Sequence, residues 1–210
     1  MAAHEIIPLF PLSLVLLPAM PLPLHIFEDR YKEMIKDVMP VEGEFGVVLA
    51  KDNGIVNIGC TARVDRVVRQ YPDGRLDIVA IGQRRFIIDS LDEEKSYLRA
   101  EVEFFNDEDA SEVPFELRQR TRQAYRRLVE LEEPGAAAEP KFDMNRMSFQ
   151  VAQFILDLDK RQTVLSLRSE VERLEFLVRV IPEYVAQRER IALANRVGPL
   201  NGHVKAQIGE

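Results

Sequence analysis

The segment Leu17-Pro18-Ala19-Met20-Pro21-Leu22-Pro23-Leu24-His25-Ile26-Phe27-Glu28-Asp29-Arg30-Tyr31 decides how this chain can fold. It packs three prolines among large apolar residues and then turns into a helix-like pattern at Glu28. Proline lacks a backbone N–H and has a fixed φ, so the segment cannot be a central β-strand or an interior helix turn. Apolar residues outside regular structure must either pack as an extended connector or face a partner. Outward from it, Ile6 to Phe10 and Leu12 to Leu17 read as two short strands split by Pro11. Phe27, Tyr31, Met34, Ile35 and Val38 recur at helical spacing up to Pro40.

Beyond Pro40 the pattern is strand. Phe45 to Ala50 is a continuous apolar run, as in a strand covered on both faces. Asn53-Gly54 is a hairpin turn into Ile55 to Ile58. Cys60 to Phe105 alternates apolar and polar residues, with a turn at Pro72-Asp73-Gly74 and a break at Gly82. Gly82-Gln83-Arg84-Arg85 lies between strands, so it reads as a bulge or bend and not as a phosphate loop. Short strands at this spacing predict a closed or partly closed barrel.

Composition then changes. Leu117, Thr121, Ala124, Leu128 and Leu131 mark a helix, and Pro134 to Pro140 a loop. Met144, Met147, Val151, Phe154, Ile155 and Leu158 mark a second helix capped by Asp143. Ser169 and Glu172 form a capping-box pattern before a third, which Pro182 should kink or restart. The expected class is α+β. Residues 1–106 form a β-rich lobe, 107–111 a linker, 112–198 a helical lobe and 199–210 a flexible tail.

Of the 210 residues, 46% are hydrophobic and 30% charged, which is globular composition. The formal charge of −7 disfavours a broad grip on nucleic acid, which needs clustered Lys and Arg. The single cysteine, Cys60, permits no internal disulfide and no cysteine-rich zinc site. Met1 to Phe10 has no basic start of a signal peptide, and five prolines between Pro8 and Pro23 spoil a membrane span. A cytoplasmic protein is expected.

Catalytic patterns are missing from the sequence. There is no Walker loop and no His-Glu-x-x-His pattern, and His4, His25 and His203 are scattered. No catalytic, cofactor-binding or metal-binding residue is assigned. His25 reads as a packed histidine with a backbone partner, and Cys60 as a small buried hydrophobe. Asp92-Glu93-Glu94 reads as a solvated turn. The arginines 118, 120, 122, 126 and 127 read as ordinary helix ion pairing with nearby glutamates.

Pro8-Leu9-Phe10-Pro11-Leu12, followed by Leu17-Pro18-x-Met20-x-Leu22-Pro23-Leu24-His25-Ile26-Phe27-Glu28-x-Arg30-Tyr31, resembles the opening of the Lon protease N-terminal, substrate-binding domain. The resemblance continues through Phe45 to Leu49, Ile58-Gly59-Cys60-x-Ala62, Asp73-Gly74-Arg75 and Gly82-x-x-Arg85-Phe86. It reaches Gln162, Leu165 and Glu172-Arg173-Leu174. It implies a PUA-like β-barrel followed by a helical bundle, with a role in binding unfolded or partly folded polypeptide beside a protease or chaperone system. The motifs of the family's ATPase and Ser-Lys protease modules do not occur in this sequence, so proteolysis is not carried over. Ala19 stands where full-length proteases of the family commonly have glycine, and Leu24 to Glu28 is closer to stand-alone members.

Three functions follow as expectations. The first is a non-catalytic polypeptide-binding module that presents Leu17, Pro18, Met20, Pro21 and Leu22 as apolar surface. The second, by analogy with PUA-like folds, is an RNA binder using Arg63, Arg66 and Arg69. Three-residue spacing puts all three on one face only if the strand is bulged. The third is a small-molecule enzyme between the lobes, for which no convergent polar set is visible.

Overall fold

A computed structural model describes residues 4–108, 111–132, 142 and 146–197. Seven strands come first: β1 (His4–Leu12), β2 (Pro21–Ile26), β3 (Phe45–Lys51), β4 (Gly54–Ile55), β5 (Ile58–Gln70), β6 (Leu76–Asp92) and β7 (Arg99–Phe105). Helix α1 (Asp29–Val38) and a 3-10 turn at Met39–Val41 lie between β2 and β3. Helices α2 (Phe115–Glu132), α3 (Met147–Ala152), α4 (Leu158–Ser166) and α5 (Glu170–Val197) follow. The chain is therefore a mixed helix and sheet protein whose sheet is largely antiparallel. The expected loop at Pro134 to Pro140, the Asp143 cap and the tail from residue 199 lie outside the described residues.

The sheet closes on itself. Its order is β1-β7-β6-β5-β3-β4, and β1 also pairs with β3, in parallel, through Leu9 to Leu12. A chain buried on both faces needs apolar residues at every position. In β3, Phe45 to Leu49 are all buried. Val48 joins a small cluster with Ile7, Leu9, Phe86, Ala100 and Val102, whereas Phe45, Val47 and Leu49 join the large core. Gly46 and Gly59 make room for the Phe86 ring, whose Cζ lies 2.7 and 2.4 Å from where a Cβ would stand.

The proline-rich segment corrects the expectation of an irregular connector. Pro21–Ile26 is a strand, paired antiparallel with β6 from Pro21↔Ile81 to Ile26↔Leu76. Among the described residues it has no second strand partner, so it is an edge. Gly82 N–H donates to Met20 O at 3.0 Å, which sets the hydrogen-bonding positions at even-numbered residues. Pro21 and Pro23 then turn their nitrogens to the open edge, where no donor is needed. Leu12 to Leu17 is likewise not a second strand: β1 runs through Pro11, and the chain leaves the sheet at Ser13.

Gly82 does not interrupt β6. It lies beside a register shift, where Cys60 faces Arg85 but Ala62 faces Gly82. Its lack of a side chain lets the 17–20 turn sit on it, because a Cβ would stand 2.2 Å from Leu17 O. In that turn Met20 N–H donates to Leu17 O, with Pro18 second and Ala19 third at φ 62, as in a type II turn. Ala19 N–H donates to Gly82 O at 2.9 Å.

The helical residues also differ from expectation. The second expected helix is two: α3 ends at Ala152, and Asp157 caps α4 by accepting from Lys160 N at 3.0 Å. Arg161 donates to Gln153 O, satisfying a carbonyl just past the end of α3. Ser169 Oγ accepts from Glu172 N, as the capping pattern requires, and α5 runs through Pro182 without restarting.

The expected linker is anchored at Asp107. Arg85 of β6 reaches its Oδ1 at 2.5 Å, and Arg173 of α5 grips both carboxylate oxygens at 2.6 Å. Both arginines are buried, and both donate to Leu167 O. Arg173 also binds Glu170 and Ser148 Oγ. Burial alone would raise the Asp107 carboxyl, but hydrogen bonds and charge from Arg173, then Arg85, outweigh it and hold it below the usual carboxylate range.

Removing one member of such a group leaves buried charge uncompensated, so Asp107→Asn should lower unfolding stability by about 3–5 kcal/mol, measured by urea denaturation. A depressed folded pKa gives stability that is fully present above the unfolded value and lost as pH falls through the folded one. Wild type should therefore lose stability below about pH 4, and the Asn variant should show a shallower acid limb. Gly82→Ala should cost about 2–3 kcal/mol in the same assay by pushing the 17–20 turn off β6.

Candidate functional site

Directly opposed residues on paired strands share a face. Across β2, β6 and β5 this gives three rows: Pro21, Ile81 and Arg63; Pro23, Val79 and Arg66; His25, Asp77 and Arg69. β5 pairs with β3 only at Cys60 to Ala62, so its later residues form a second open edge. These strands thus make a ribbon projecting from the closed sheet. Its inner face carries Leu22, Ile26, Ile78 and Ala80 into the large core.

The five residues expected to present apolar surface divide. Leu17 (0% exposed), Leu22 (4%) and Pro18 are buried, and the first two belong to the core. Alternation along the edge strand decides this: even positions point inward, and the turn packs Leu17 beneath Gly82. Pro21 is exposed and Met20 is partly so. The outer face adds Pro23, Val79 and Ile81, none of which the sequence reading singled out. The pattern Pro-Leu-Pro-Leu, read as an alternating edge strand, is the signal that could have found Pro23.

Next to Ile81, a cleft of about 680 Å³ opens between the 3-10 turn and the ribbon. Met39 and Gly43 line one side, and Arg63, Val67 and Ile81 the other. The apolar outer face therefore leads into a groove edged by charges of both signs, Arg63 and Arg66 with Glu42 and Asp65.

The three arginines share a face only because β5 is irregular. Register shifts between Val64 and Arg66 and between Val67 and Arg69 offset the three-residue spacing. Regular alternation would have alternated them between faces, which is why the sequence left the strip in doubt.

His25 is not packed against the backbone. It is exposed, and its Nδ1 lies 2.5 Å from Asp77 Oδ1, while Tyr71 donates to Asp77 Oδ2 at 2.8 Å. Hydrogen bonds from His25 and then Tyr71 hold the Asp77 carboxyl below its usual range. Cys60 is fully buried, and burial pushes its thiol up to about 12. It is a packed side chain with no thiolate at neutral pH. Among the described residues no three His, Cys, Asp or Glu side chains gather so as to hold a metal ion, and no helix is long and apolar enough to cross a membrane.

The site can offer shape, apolar contact and charged side chains of both signs. Comparison with known proteins agrees with this fold. A crystal structure of a Lon N-terminal domain protein from Xanthomonas campestris superposes with a TM-score of 0.68 at 25% identity, covering 83% of this chain and 97% of that one. The N-terminal domain of a Mycobacterium avium complex Lon protease gives 0.62 at 19% identity, covering 87% and 98%, and shows the fold alone. Lon proteases of Parabacteroides distasonis and Flavobacterium johnsoniae are 28% and 26% identical over 67% and 80% of this chain. Those matches span 18% and 22% of the two proteases' own lengths. The family described as the ATP-dependent protease La (LON) substrate-binding domain matches residues 6–182. On that match, the chain belongs to the LON substrate-binding domain family.

Proposed function

We propose that this chain is a non-catalytic polypeptide-binding module that holds unfolded or partly folded segments for a protease or chaperone system. In this reading the closed sheet is a PUA-like barrel and α2 to α5 are a helical bundle lobe joined to it through residues 107–111. One observation carries the proposal: Pro21, Pro23, Val79 and Ile81 share an outer face next to a cleft of about 680 Å³. Aliphatic and prolyl surface of this kind favours apolar side chains of many shapes. The open edge of β2 does not favour strand addition. Pro21 and Pro23 offer carbonyls there but no N–H, so a client would be held through its side chains.

The catalytic alternative has little support. The family match names the substrate-binding part of the protease, the lone thiol is sealed in the core, and the His25–Asp77 pair has no nucleophile beside it.

Binding of a permanently unfolded, labelled model protein tests the proposal. Val79→Asp should weaken binding about tenfold, since burying a charge in an apolar contact costs at least the value of the lost contact. Unchanged affinity, with an unchanged unfolding midpoint, would remove this face from the function.

A further inference from the structure

Residues three apart on a regular strand alternate faces, yet Arg63, Arg66 and Arg69 oppose Ile81, Val79 and Asp77, alternate residues of β6. All three arginines are exposed. They step along the ribbon by two residues of β6, about 6.6–6.8 Å. Arg63 donates to Gln83, Arg66 pairs with its neighbour Asp65, and the Arg69 guanidinium lies 4.6 Å from the Tyr71 ring centroid. Among the described residues neither Arg63 nor Arg69 forms an ion pair, and the Arg66 pair is a solvated one that a ligand carboxylate can replace. Pro21, Pro23, Val79 and Ile81 lie beside this row on the same face.

The geometry points to an extended polypeptide segment in which acidic and apolar residues alternate as the ligand of this face, a preference that rests on the polypeptide-binding reading above. Alternate side chains of an extended chain point to opposite sides and repeat at about 6.6–6.8 Å. A segment lying along β6 therefore puts every second residue over the arginines and the others over the prolines, Val79 and Ile81. Carboxylates suit the first set because the guanidinium fork binds them in pairs of hydrogen bonds. A phosphate backbone suits the face less well. Asp65, Asp77 and Glu42 interrupt the positive row, so continuous negative charge meets repulsion that separate carboxylates avoid. Tyr71, which could stack a base, already lies beneath Arg69 and Arg75.

Fluorescence anisotropy with a labelled peptide alternating Asp and Val, the same peptide with Asn for Asp, and a labelled RNA oligonucleotide tests this at low and raised salt. Wild type should bind the acidic peptide roughly tenfold more tightly than the neutral one at low salt, a margin that shrinks as salt rises. R63Q/R66Q/R69Q should lose the margin and keep its affinity for the neutral peptide, whereas the triple lysine variant, which keeps the charge without the fork, should retain part of the margin. The single variants, each losing part of it, serve if the triple variant does not fold. Equal affinity for both peptides would overturn the acidic preference and leave the polypeptide-binding reading standing. Failure to bind either peptide would overturn both. Arginine-dependent RNA binding without an acidic-peptide preference would assign the row to nucleic acid and overturn the proposal.

Discussion

Two buried guanidiniums share one carboxylate at Asp107, and that sharing ties strand β6 to helix α5. Burial and then the charge of Arg173 both act to lower the pKa of Arg85. The like charges can sit together only because Asp107 and Glu170 lie between and beside them. The desolvation cost of such a group is high, and only complete pairing offsets it. Here the pairing extends to Leu167 O and Ser148 Oγ, and the Phe149 ring lies within 5.5 Å of both guanidinium carbons. The group therefore contributes one geometry for the approach of α5 to β6 more than it contributes raw stability.

Strand β6 carries that constraint to the surface. Arg85 enters the clamp, Gly82 receives the 17–20 turn three residues earlier, and Ile81 and Val79 face outward next to it. The bulge between Gly82 and Arg85 allows one strand to turn a charged side chain into the helical interface and an apolar one onto the ribbon's outer face. Ala19 is part of the same arrangement. At φ 62 it occupies a backbone region that favours glycine, and two hydrogen bonds hold the turn there: Ala19 N–H donates to Gly82 O, and Gly82 N–H donates to Met20 O.

Much of the fold was legible because it rests on periodicity. The apolar run at Phe45 to Leu49, the hairpin at Asn53-Gly54, the bulge at Gly82 and the capping pair Ser169 and Glu172 each act through local chemistry. The proline segment was misread because the bar on proline applies to central strands, and whether a strand is an edge depends on its neighbours. Leu17 and Leu22 were read as surface for the same reason. The row of Arg63, Arg66 and Arg69 was hidden because register shifts arise from pairing and leave no mark in the spacing. Asp107 looked like a solvated linker residue, since its partners lie 22 and 66 residues away.

The outer face of the ribbon formed by β2, β6 and β5 is proposed to receive polypeptide. Peptide-resolved hydrogen exchange, with and without a saturating unfolded client, locates the contact without any substitution. Added protection is expected within residues 19–26 and 77–83, with α2 to α5 unchanged. Protection confined to the helices, or none along β2 and β6, would contradict it.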